Sequence, residues 1–154
     1  MLQSINTYQM ANPNNDKYDL KRFIEAQESD YSIALAEIKG GKKQSHWMWY
    51  IFPQVMGLGY TGTSITYGIK DLDEAAAYLN HEVLGKRLVE ISNILLTLET
   101  NDAYKVFGGT DTMKLRSSMT LFSLVPGADK VFQLVLDKFF KGEQDERTLQ
   151  LLGL

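Results

Sequence analysis

The chain contains no cysteine. Disulfides, zinc–thiolate sites and a cysteine nucleophile are therefore excluded. Proline is scarce, at three among 154 residues, and no low-complexity tract is present. No stretch approaches the roughly 18 consecutive apolar residues of a membrane span, so no membrane association is expected. The start, MLQSINTYQMANPNNDK, lacks the basic residues and apolar run of a secretory signal, and a cytoplasmic location is the expectation. Positive charge is not in excess either. Sixteen Lys and Arg stand against 19 Asp and Glu, for a net charge of −3. Nucleic-acid binding is driven by clustered cations, so no nucleic-acid partner is expected, although a local basic pocket is compatible with this balance.

What is present describes a globular protein. Hydrophobic residues make up 44% and charged residues 23%, both ordinary values. The length fits one domain, and such a chain buries roughly 70% of the surface its unfolded form exposes. Residues 1–17 are polar and Asn-rich and are read as a loosely ordered arm, leaving 18–154 as a single domain.

Periodicity and caps predict an all-α bundle of about seven helices. Asp19 is read as the N-cap of LKRFIEAQ, and a second helix, YSIALAEIK, is expected from about Asp30 to Lys39, ended by Gly40 and Gly41. Ser45 is a possible cap for HWMWYIF, read as a short buried helix stopped by Pro53. Residues 54–70 form a Gly-rich connection. Asp71 and Glu74 have capping-box spacing. Leu84, Leu88, Ile91, Leu95 and Leu98 recur at steps of 4, 3, 4 and 3, one apolar helical stripe. His81 stands at the entry to that helix and can cap it. Asp102, Asp111, Asp129 and Asp145 are read as opening the remaining helices.

His46 to Gln54 read HWMWYIFPQ, with two tryptophans, a tyrosine and a phenylalanine in nine residues. Three readings apply: a core plug, a stacking surface for a flat ligand, and an exposed protein-binding anchor. Aromatics dominate cores, which favours the first. In the second, Trp49 lines a pocket and Gln54 reads an amide or base edge. His46 is read either as a partly buried hydrogen-bonding residue or as a candidate catalytic acid or base, the imidazole being the side chain suited to that role near neutral pH.

Asp111, Lys114 and Ser118 are spaced i, i+3, i+7 and project from one helix face. Leu115, Met119 and Phe122 supply the core. The polar stripe then borders a cleft in which Asp111 activates or orients, Lys114 holds an anion and Ser118 donates a hydrogen bond. The bland reading is a cap, a solvated lysine and a helix-buried serine. Arg22 and Arg87 are candidate anion ligands because guanidinium suits bidentate phosphate contact; each is otherwise a structural ion-pair partner. Glu74 is a capping partner, and a catalytic carboxylate only if it faces a pocket. Neither histidine has a second ligand at metal-binding spacing, so no metal and no cofactor are expected. Gly57-Leu-Gly59-Tyr-Thr-Gly62 matches G-x-G-x-x-G, but no βαβ pattern surrounds it. It is read as a loop whose backbone N–H groups can at most form a small anion nest.

Five ordered blocks resemble one family: DLKRFIEAQ, ALAEIKGGKKQSHWMWYIFPQVMGLG, YLNHEVLGKRL, DTMKLRSSMTLF and GEQDERTLQLL. The chain from Tyr18 onward resembles domain of unknown function 1810. That resemblance implies a compact all-α fold and no activity. Some members carry the label calpastatin. A calpain inhibitor of that kind is disordered and rich in Lys, Glu, Ser and Pro, unlike this chain. YLNHEVLGKRL is also similar to part of an all-α family associated with NAD and ADP-ribose metabolism. Two functions are carried forward: a small-molecule pocket, enzymatic or not, for a nucleotide-like or ADP-ribose-like ligand, and a noncatalytic interaction module anchored by the aromatic block.

Overall fold

The computed structural model describes residues 16–154. The arm expected over 1–17 lies outside the described residues as far as residue 15. Its last two residues belong to the fold, because the Asp16 carboxylate accepts from the N–H groups of Leu20 (2.7 Å) and Lys21 (3.2 Å). Asp16 therefore caps the first helix, and Asp19 instead takes a positive φ of 54°.

That helix, α1, is continuous over Lys21–Lys39, where two helices were expected. Ser29 and Asp30 are weak helix formers, but neither breaks a helix. Asp30 does not cap a new one. Its carboxylate accepts from the Tyr50 and Ser29 hydroxyls. Phe23, Gln27, Ala34 and Ile38 form the buried stripe. The chain then turns through α2 (Met48–Ile51) and a loop to α3 (Gly62–Thr66). Helix α3 was not expected; Thr61 caps it by accepting from Ser64 N at 3.1 Å, and it buries no residue. Val55 within that loop and Ile69 beyond α3 form an isolated parallel bridge. No βαβ unit surrounds the glycine pattern.

Helices α4 (Leu72–Asn80) and α5 (Leu84–Thr97) follow. Asp71 caps α4 through Glu74 N at 2.8 Å. His81 Nδ1 accepts from Val83 N (3.1 Å) and Leu84 N (3.3 Å) at the start of α5. Leu84, Leu88, Ile91 and Leu95 are buried, as their spacing predicts. The chain ends with α6 (Ala103–Phe107), α7 (Gly109–Ser123), α8 (Val131–Phe140) and α9 (Glu146–Leu151). Asp102 and Asp145 cap α6 and α9 by accepting from Tyr104 N and Thr148 N. Asp111 does not cap α7. That helix starts two residues earlier, after Gly108 at φ 78°, and Asp111 lies inside its first turn, where a negative charge suits the helix dipole.

Nine helices and no strand occur among the described residues, so the all-α class holds, with more helices than the seven or so expected. Helix α7 is the central element and packs on α4, α6, α8 and α9; α5 packs on α1, α4 and α8. Ser117 to Phe122 are buried without interruption, as befits a helix covered on several sides. Rings of Phe23, Tyr78, Phe122 and Phe132 run from α1 through α4 and α7 to α8 with centroids 5.1, 5.3 and 5.9 Å apart, in the range of favourable aromatic pairs.

Helices α4 and α5 meet closely, since a Cβ on buried Gly85 would lie 2.0 Å from the Leu79 carbonyl oxygen. A backbone atom cannot swing aside as a side-chain tip can. Gly85→Ala is therefore expected to destabilise by at least about 2 kcal/mol in urea unfolding. A cost below about 0.5 kcal/mol would show that the two helices do not meet this closely.

Candidate functional site

The site is built from one carboxylate. Glu37, in the last turns of α1, accepts from Gln44 N (2.8 Å), Ser45 N (2.9 Å), the Ser45 hydroxyl and Trp47 Nε1 (2.9 Å). Burial pushes this carboxyl up, but the donors outweigh it and lower it from 4.5 to about 2. Ser45 is thus a ligand of Glu37 and does not cap α2. Lys43 fixes the other side of the turn. Its N–H donates to Val106 O at 2.8 Å, its ammonium meets Asp111 at 2.8 Å, and it lies 4.9 Å from the Trp47 ring centroid. Trp47 is consequently buried, at 1% exposure. With Trp47 turned inward, the half-turn that follows brings Trp49 out on another side, half-buried.

Trp49 forms one wall of a cleft of about 370 Å³, within the size range of small-molecule sites. Gln54, Val55, Leu58 and Gly59 approach from the segment after Pro53, and Ser64 and Tyr67 from α3 and its end. Helix α7 contributes Thr110, Met113, Lys114 and Ser117, and Asp145 closes the rim. The Lys114 ammonium stands 5.2 Å from the Trp49 ring centroid and 3.1 Å from the Asp111 carboxylate. Asp111 therefore lies between two ammoniums. Burial pushes its carboxyl up, but Lys43 and Lys114 hold it below the usual carboxylate range. The Asp145 carboxylate is engaged by Thr148 N (2.9 Å) and the Thr148 hydroxyl (2.6 Å).

Of the residues singled out in the sequence, Trp49, Gln54 and Lys114 line this cleft. Asp111 stands behind Lys114. His46 is exposed and outside the lining. Glu74 faces no pocket. It has no exposed surface, pairs with Arg22 at 2.8 Å and accepts from Lys70 N at 2.9 Å. Arg22 also holds Thr66 O (2.7 Å) and Gly68 O (2.9 Å), so it ties down the end of α3. Arg87 donates to Gln27 Oε1 at 3.2 Å and lies 5.0 Å from the Tyr31 ring centroid. The two arginines thus act as internal staples away from the cleft. Ser118 points away too: it has no exposed surface, and its Oγ has no partner among the described residues.

The face of α7 that lines the cleft is 110, 113, 114, 117, spaced i, i+3, i+4, i+7. The stripe 111, 114, 118 is displaced from it by about one residue, roughly 100° at most, around the helix. Thr110, Met113 and Ser117 were therefore missed, although their helical spacing with Lys114 was there to be found. Tyr67 and Asp145 carry no such local signal.

The fold and cleft describe a small all-α protein with one indole-walled, lysine-bearing hollow. The chain belongs to the family described as protein of unknown function (DUF1810), whose pattern matches residues 17–152. It is similar to the conserved hypothetical protein Rv1873 from Mycobacterium tuberculosis, whose crystal structure was solved at 1.38 Å. The two share 42% identity and a TM-score of 0.86, over 88% of this chain and 97% of that chain. No curated protein matches the sequence.

Two outcomes test this geometry. A carboxyl lowered on folding adds stability that is fully present above its unfolded value of 4.5 and is lost as pH falls towards about 2. Glu37→Gln should be less stable than wild type at neutral pH, and the two urea midpoints should converge between pH 4.5 and 2.5 (roughly the window of that lowered carboxyl). Parallel midpoint curves would contradict the Glu37 cluster. Ser118→Ala removes a hydroxyl that makes no hydrogen bond, so stability should change by less than about 0.5 kcal/mol or rise. A loss above about 1.5 kcal/mol would mean that the hydroxyl has a partner.

Proposed function

We propose that this protein binds a small molecule with a flat ring in the cleft between α2 and α7. The observation that carries the reading is the placing of a half-buried indole and a lysine ammonium 5.2 Å apart in one hollow. Apolar walls from Val55, Leu58 and Met113 favour a ring, and Gln54 offers both a donor and an acceptor for a polar ring edge. A nucleobase has both properties, which supports the nucleotide-like reading over an aliphatic ligand.

Binding is favoured over catalysis. The three candidate acids and bases are not free groups in the cleft: His46 lies outside its lining, Glu74 is enclosed with Arg22, and Asp111 is held by two lysines. The interaction-module reading needs an exposed aromatic anchor. Here Trp47, Met48, Ile51 and Phe52 are buried in the core and Trp49 and Tyr50 are half-buried, so the block offers little exposed aromatic surface.

Stacking of a base on an aromatic ring is worth about 1–3 kcal/mol. A thermal-shift screen of nucleosides, nucleotides and other flat-ring metabolites should therefore yield a ligand whose affinity falls about tenfold or more in Trp49→Ala, while far-UV circular dichroism is unchanged. At a hundredfold excess over Kd, that ligand stabilises by about 2.7 kcal/mol. Equal binding by wild type and Trp49→Ala would remove the cleft from the account.

A further inference from the structure

We infer that the cleft is built for a ligand with a single anionic group, a phosphate monoester on a flat-ring compound, and that Lys114 is its anchor. This rests on the proposal that the cleft binds a flat ring. The charges behind Trp49 are unevenly matched. Two ammoniums, Lys43 and Lys114, share the one carboxylate of Asp111. The trio therefore keeps one positive charge. Burial decides where that charge is expressed. The Lys43 side chain is 7% exposed and the Lys114 side chain 24% exposed, and of the two only Lys114 lines the cleft. Asp111 sits closer to Lys43 than to Lys114, at 2.8 Å against 3.1 Å.

An incoming anion can thus take Lys114 without stranding Asp111, because Lys43 remains on that carboxylate. The bond given up is an i,i+3 pair on a helix surface, a weak interaction. The bond gained is charge-assisted and sits in a partly desolvated hollow. A stacked ring on Trp49 brings its substituent within reach, because the ammonium already lies against that indole.

A diphosphate fits less well. Among the described residues, Lys114 is the one cation in the lining, the other charged residue there being Asp145. Arg22 and Arg87, which could have held a second phosphate, are committed to Glu74, to backbone carbonyls and to Gln27. The cleft therefore selects the monophosphate over the ADP-ribose class.

The test compares each nucleoside with its monophosphate, using adenosine and AMP, uridine and UMP, with ADP-ribose alongside, by titration calorimetry on the full chain. In wild type, at least one monophosphate should bind about tenfold or more tighter than its nucleoside, and ADP-ribose should bind no tighter than AMP. Lys114→Met should bring the ratio of monophosphate to nucleoside affinity down to about one. Asp111→Asn frees Lys114 and should keep or enlarge the difference. Equal affinities for nucleoside and monophosphate in wild type, or a preference that survives Lys114→Met, would overturn the anion assignment and leave ring binding standing. ADP-ribose binding tighter than AMP would overturn the single-anion limit. Failure of every compound to bind at millimolar concentration would overturn the ring-binding proposal, and this inference with it.

Discussion

The carboxylate of Glu37 gathers four donors from a four-residue turn, and the geometry of the cleft follows from that gathering. Three of the donors, two backbone N–H groups and the Trp47 indole N–H, converge on a single oxygen. A turn and half-helix that together carry two tryptophans have several ways to bury aromatic surface. Hydrogen bonding selects one of them, because the buried indole must find an acceptor, and Glu37 supplies it. With Trp47 committed to the interior, α2 has one orientation, and Trp49 emerges opposite α7. The aromatic block is thus both a core plug and a cleft wall, with adjacent tryptophans divided between the two roles by one acidic side chain.

Helix α7 carries the second constraint. It is buried from Ser117 to Phe122 and open near its start, where Thr110, Met113, Lys114 and Ser117 face the cleft. One end of the helix sits in the core and the other borders solvent. Lys43 reaches across from the Glu37 turn to Asp111 on α7. The ion pair and the Glu37 cluster lie on opposite sides of one short segment and hold it between α1 and α7. A wall supported on both sides suits a binding hollow, since less ordering is then required when a ligand arrives. On the far side, Arg22 performs a similar task for α3 by holding the carbonyls of Thr66 and Gly68.

Much of this fold can be read from local signals. The leucine stripe of α5 and the caps at Asp71, His81, Asp102 and Asp145 act over four residues or fewer, and each appears where its spacing places it. What escaped was decided at longer range. Asp30 resembles a cap but is drawn off by Tyr50, so α1 runs on. Asp111 resembles a cap but lies inside the first turn of α7, paired with Lys43 and Lys114. Glu74 has capping spacing and is also the partner of a distant arginine. In all three cases a carboxylate has a local role by spacing and a tertiary partner by folding. Trp49, Gln54 and Lys114 could be picked out because aromatic, amide and ammonium groups stand out by type. Tyr67 and Asp145 reach the cleft only through the fold.

The central claim is that Trp49 and Lys114 share an open hollow in which the Lys114 ammonium is the charge lying against that indole. Of the two tryptophans, Trp47 is 1% exposed, so any collisional quenching of fluorescence reports Trp49. The most direct measurement compares quenching of the unliganded protein by iodide and by caesium, with Trp49→Phe as the blank. The account predicts that iodide quenches strongly, that caesium quenches weakly, and that Trp49→Phe responds to neither. Caesium quenching equal to iodide, or indole emission that neither ion reaches, would contradict it.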